Sequence, residues 1–180
     1  MCLFVALLGL NACGRGDRAL VGGKFNLVDQ TGAPRDQTLL KGKWSAVFFG
    51  YTYCPDVCPT TLQTLAEAQD RLGPKARKFQ VVFVSVDPAR DTPAQLRAYL
   101  SSGAFPKGTI GLTGTSDQVA EAAKVYRVFY QKAGAGPDYT VDHASQVYLM
   151  DPKGRFDRVI AYGLSPDEVA RQVSDAMRGD

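Results

Sequence analysis

Ser45-Ala46-Val47-Phe48-Phe49-Gly50-Tyr51-Thr52-Tyr53-Cys54-Pro55-Asp56-Val57-Cys58-Pro59 joins a strand pattern to a helix start, with two cysteines at the junction. The run from Ser45 to Tyr51 is apolar and aromatic almost throughout, as expected of a strand buried on both faces. Beyond it Leu62, Leu65 and Leu72 recur at near-helical spacing up to Gly73-Pro74, which predicts a helix over residues 57–72. Proline fits the first helical turn, so Pro59 puts Cys58 at the helix start and Cys54 in the exposed loop before it.

Working outward, Phe25 to Trp44 alternates short apolar patches around Thr31-Gly32-Ala33-Pro34 and reads as an N-terminal β-hairpin. Gln80 to Val86 is a second buried strand. Thr92-Pro93-Ala94-Gln95 combines a capping threonine, a proline at the first helical position and a glutamine three residues after the cap. Thr115 with Gln118 and Ser165 with Glu168 repeat the capping pattern, and Pro166 repeats the proline. Thr109–Leu112 and Gln146–Asp151 read as strands, and Pro152-Lys153-Gly154-Arg155 turns into a last strand over Phe156–Ala161. The predicted order is hairpin, strand, helix, strand, helix, strand, helix, hairpin, helix. Such alternation implies an α/β domain whose central sheet is flanked by helices, with a ligand site beyond the carboxyl ends of its strands.

The 180 residues are 45% hydrophobic and 22% charged, which suits one compact domain over residues 22–180. A net charge of +3 without a run of like charges argues against a nucleic-acid partner. The single histidine, His143, excludes HExxH proteases and three-histidine zinc sites. Residues 1–13, MCLFVALLGLNAC, have the layout of a short signal-peptide core, too short to span a bilayer. Leu10-Asn11-Ala12-Cys13 resembles a bacterial lipobox, in which Cys13 would be lipidated, although Asn11 is unusual there and no positive charge precedes the apolar run. The expectation is an extracytoplasmic, periplasmic domain tethered to the membrane through residues 14–21. A buried N-terminal segment of a cytosolic protein is the alternative.

Of the four cysteines only Cys54 and Cys58 lie in the body of the domain. Backbone N–H groups at a helix N-terminus favour thiolate over thiol, an effect that Asp56 opposes. A structural disulfide in an exported protein is one reading. So short a loop makes a weak staple, however, and a reactive or metal-binding pair explains the spacing better. Two soft thiolates prefer Cu(I), and closing the site needs a further donor. If the 146–151 strand neighbours the 45–51 strand, the loop Val141-Asp142-His143-Ala144-Ser145 lies near the cysteines. Two thiolates and one imidazole then make a three-coordinate site for Cu(I), or for Cu(II) with an added ligand or water. A lone histidine is otherwise more often a surface or core residue. Asp87, ending the second buried strand, is read as lining the site, pairing with Arg90, or capping the turn after it. Tyr51 and Tyr53 are candidates to flank the site.

FFGYTYCPDVCPTTL, FVSVDPARDTP and VDHASQVYLMDPKG, in that order, resemble the signature blocks of the Sco/SenC family, from about Gly22 to the C-terminus. The resemblance implies a thioredoxin-like fold and one copper ion, Cu(I) or Cu(II), bound by Cys54, Cys58 and His143. Asp87 and Asp142 are candidates to support those ligands. It further implies a metallochaperone for the copper-site subunit of cytochrome c oxidase, delivering copper or reducing the cysteines of the binuclear site, with other copper chaperones or thiol–disulfide reductants as further partners. A thiol–disulfide oxidoreductase using Cys54 and Cys58 as a redox pair is the competing reading. Against it, three residues rather than two separate the cysteines, and no proline directly precedes the 146–151 strand. A thiol peroxidase is disfavoured because Tyr51 stands where such enzymes place a threonine.

Overall fold

The computed structural model describes residues 21–179; the leader, Cys2, Cys13 and most of the expected tether lie outside these residues. The described elements are β1 (Asn26–Asp29), β2 (Pro34–Asp36), β3 (Trp44–Gly50), α1 (Val57–Arg71), β4 (Phe79–Ser85), α2 (Pro93–Leu100), β5 (Ile110–Thr113), α3 (Ser116–Val125), β6 (Tyr130–Ala133), β7 (Thr140–His143), β8 (Val147–Met150), β9 (Phe156–Ile160) and α4 (Pro166–Ala176). No helix among them is long and apolar enough to cross a membrane.

Seven strands form one mixed sheet in the order β2-β1-β5-β4-β3-β8-β9. The central trio β3, β4 and β5 is parallel, and β8 joins β3 antiparallel with Phe48 opposite Val147 and Ser45 opposite Met150. Every residue of β3 is buried, which accounts for its unbroken apolar run. The adjacency of β3 and β8 is the one on which the approach of His143 to the cysteines depended.

The helix starts follow their capping signals. Thr115 with Gln118 and Ser165 with Glu168 form complete capping boxes. At α2 the Thr92 hydroxyl accepts from the Gln95 backbone N–H at 3.2 Å, but the box is only half made. The Gln95 amide instead donates to Thr52 Oγ1 at 3.3 Å, tying α2 to the cysteine loop.

Two expectations need correction. The N-terminal hairpin is shorter than residues 25–44: β1 and β2 pair around Gly32, a one-turn 3-10 helix (Gln37–Leu40) follows, and Trp44 opens β3. Gly32 takes a positive φ of 87°, the left-handed backbone that its turn requires. The second correction adds a hairpin. The sequence predicts no element over residues 130–140 and a loop over 141–145, but Tyr130–Ala133 and Thr140–His143 form the two-stranded ladder β6–β7, separate from the main sheet, with Tyr130 opposite His143. His143 therefore ends a strand instead of lying in a loop.

Candidate metal centre

The site forms where the carboxyl ends of β3 and β7 meet the start of α1. Cys54 lies in the turn after β3, its backbone N–H donating to the Tyr51 carbonyl at 3.3 Å. Cys58 sits in the first turn of α1, fully buried, while Cys54 is half-buried. Gly50 makes room for it, because a Cβ there would come within 2.7 Å of Cys58 Sγ and 2.9 Å of the Phe83 ring. Sequence reasoning missed this glycine, because a close approach between strand end and thiol leaves no local signal.

Asp91 is a second residue it missed. Its carboxylate, completely buried, accepts from the Thr52 N–H at 3.0 Å, the Thr52 hydroxyl at 2.7 Å and the Ser85 hydroxyl at 2.6 Å. These bonds anchor the start of the cysteine loop to the end of β4. Burial pushes the Asp91 pKa up against those hydrogen bonds. The only available signal was its position after a buried strand, which equally describes a turn cap.

The β6–β7 hairpin brings His143 to the cysteines. Its ring packs edge-on against Tyr51 at 5.8 Å and Phe48 at 6.1 Å between centroids. Nδ1 lies 2.9 Å from the Ala144 carbonyl, and Nε2 lies 3.4 Å from Cys58 Sγ. A carbonyl only accepts, so Nδ1 carries the proton and the Nε2 lone pair faces the sulfurs.

The thiols are polarised in opposite directions. Cys54 is lowered to about 3, first by the hydrogen bond from the Cys58 thiol, which together with the Asp56 and Cys58 backbone N–H groups outweighs partial burial. Cys58 is pushed far up by donating that bond, by burial and by the adjacent Cys54 charge. At neutral pH the pair holds one thiolate and one thiol, unbridged.

The Cys54, Cys58 and His143 donor atoms all lie within 4.8 Å of one another. Metal–sulfur bonds of about 2.3 Å and metal–nitrogen bonds of about 2.0 Å place trigonal donors about 4 Å apart, so the triad fits a single soft ion. Asp87 turns away from it: its carboxylate accepts from Arg90 Nε at 2.5 Å and from the Tyr139 hydroxyl at 2.6 Å. Asp142 is exposed opposite Gln131 and lines the open cleft together with Cys54, His143 and Tyr162. Tyr51 is buried beside the imidazole, whereas Tyr53 is 55% exposed at the rim.

A helix-flanked mixed sheet with a Cys-Cys-His triad at the strand ends defines a thioredoxin-like metal-binding thiol protein. Residues 14–178 match the SCO1/SenC family model, and the chain belongs to that family. It is 44% identical over 152 residues to the mitochondrial protein SCO2 of Saccharomyces cerevisiae, covering 82% of this chain and 49% of that one. The chain thus spans about half the length of this yeast relative. With the SenC protein of Rhodobacter capsulatus it shares 42% identity over 166 residues, 90% of this chain and 74% of that one. The structure of Bradyrhizobium japonicum ScoI with copper bound superimposes with a TM-score of 0.79 at 42% identity, covering 86% of this chain and 98% of that one.

Proposed function

We propose that this chain binds one copper ion through Cys54, Cys58 and His143 and passes it to the binuclear copper site of cytochrome c oxidase during assembly. The observation that carries the reading is the convergence of the three donor atoms within 4.8 Å in a chain similar to a copper-bound ScoI. Two sulfurs and one nitrogen suit Cu(I) directly, and the open cleft over the triad leaves room for the added ligand that Cu(II) takes. Here copper is cargo. The half-buried Cys54 thiolate is the accessible donor, and the buried Cys58 gives up its proton as the ion enters. The domain works outside the cytoplasm at the membrane, anchored through lipidated Cys13.

Reduction of a partner's cysteines is the second reading, favoured by the thiolate–thiol pairing. The Cys54 thiolate attacks one sulfur of a partner disulfide and releases the other as a thiolate. Cys58, losing its proton, then displaces the partner's remaining sulfur, leaving a Cys54–Cys58 disulfide and two reduced partner cysteines.

An anaerobic copper titration of the reduced protein, wild type beside His143→Ala, tests the first reading. One tightly bound copper in wild type, weakened in the variant, supports a copper carrier. Equal affinities for both Cu(I) and Cu(II) would remove His143 from the site, and no binding by either protein would leave the redox reading.

A further inference from the structure

The β6–β7 hairpin that carries His143 is not laddered to the main sheet, and a lone two-stranded hairpin is marginal in water. Side-chain contacts must therefore set its pose over the cysteines. Arg90, in the β4–α2 connection, lies where three segments meet. Its guanidinium carbon stands 3.6 Å from the Tyr139 ring centroid, 4.7 Å from that of Tyr53 and 5.7 Å from that of Tyr51. Tyr139 and Pro137 precede β7 in the hairpin, whereas Tyr51 and Tyr53 belong to the cysteine loop. Nε donates to Asp87, Nη1 donates to the Pro137 carbonyl at 3.3 Å, and the Tyr139 hydroxyl closes the ring on the other oxygen of Asp87. The side chain is only 16% exposed, and its buried Nη2 has no hydrogen-bond partner among the described residues. A partly buried cation in this setting is held by the aromatic faces as well as by its carboxylate.

We infer that Arg90 is a positioning residue for His143: by clasping Tyr139 and Pro137 to Tyr51 and Tyr53, it holds the imidazole in place over the two sulfurs. It touches no donor atom. The inference rests on the copper reading of the triad, but its effect is present in the metal-free protein. Tyr51, one face of the clasp, is also the ring against which His143 packs edge-on.

The test is a double-mutant cycle in the full chain. Arg90→Gln is expected to weaken Cu(II) binding about tenfold, in the range found when groups supporting a metal ligand are removed. In a His143→Ala background the same substitution is expected to change affinity by less than about twofold, because no imidazole remains to be placed. Equal losses in both backgrounds would show a general structural role and overturn the inference. Tyr139→Leu breaks the same clasp from the hairpin side and repeats the cycle should Arg90→Gln not fold. In the metal-free protein, the only histidine gives one isolated set of imidazole resonances. Its ring-current shift from Tyr51 should collapse in Arg90→Gln and be largely restored by Arg90→Lys, which keeps the cation. An unchanged imidazole spectrum overturns the inference. A wild type that takes up no copper defeats the copper reading instead, and these metal-free spectra then decide the role of Arg90 by themselves.

Discussion

Cys58 Sγ lies 3.4 Å from His143 Nε2, although the two residues are 85 positions apart in the chain. The contact joins a helix start to the end of a separate hairpin, and it needs β8 to sit beside β3. Its chemical content follows from the Ala144 carbonyl, which holds the proton on the other ring nitrogen and leaves a lone pair for a metal.

His143→Ala should separate the two copper oxidation states. Cu(I) is satisfied largely by two thiolates, whereas Cu(II) requires the nitrogen donor. Competition titrations should show a much larger loss for Cu(II) than for Cu(I), with the fold unchanged by circular dichroism because His143 is only partly buried. A loss of equal size in both states would mean that the histidine acts on the fold.

The reactivity of Cys54 should be nearly independent of pH. An ordinary thiol, with a pKa of about 8.5, loses about tenfold in alkylation rate for each pH unit below that value. With its pKa lowered to about 3, Cys54 remains thiolate throughout the neutral and mildly acidic range. Iodoacetamide modification followed by mass spectrometry should give a flat profile from about pH 8 to about pH 5. Cys58→Ala removes the leading hydrogen bond and should move the profile to higher pH; a steep wild-type profile would show that Cys54 is an ordinary thiol.

Gly50→Ala should disturb the site and the core together. The added Cβ would meet Cys58 Sγ at 2.7 Å and the Phe83 ring at 2.9 Å, neither of which has free space to retreat into. A loss of about 1–3 kcal/mol is expected by chemical denaturation, in the range for overpacking. Copper affinity should fall as well, since the displaced atom is one of the three proposed donors. Stability and affinity both at wild-type levels would mean that the strand end yields freely.

Asp29 makes the N-terminal hairpin sensitive to acid. Burial would raise its pKa, but the Thr31 hydroxyl, Arg35 and the backbone N–H groups of Thr31 and Ala33 lower it to about 2. The folded pKa is below the unfolded one, so the stabilisation is present above about pH 4 and disappears as pH falls towards 2. Because Arg35 is largely exposed, the contribution is discounted to about 1–2 kcal/mol. Asp29→Asn should lose that amount at pH 7 and match wild type near pH 2 by urea denaturation; an equal deficit at both would assign the effect to turn geometry.

The elements legible in the sequence are those with a local free-energy signature. The buried run of β3, the Pro59 start of α1 and the caps at Thr92, Thr115 and Ser165 all lie where their residues place them. The β6–β7 hairpin was not legible. Half of the residues in Tyr130–Ala133 and Thr140–His143 are exposed and only Val141 is buried, so no apolar alternation marks the strands.

The cysteine pair and its place at a strand-to-helix junction were determined by the sequence alone, because helix starts and spacings of a few residues are local properties of the chain. The arrival of His143, the opposite polarisation of Cys58, the glycine gap at Gly50 and the Asp91 and Arg90 contacts were decided by the tertiary structure. Each depends on strand order and on how one hairpin packs against a loop far away in sequence. Those arrangements are selected by the burial of the whole core, to which many residues contribute and which no short stretch records.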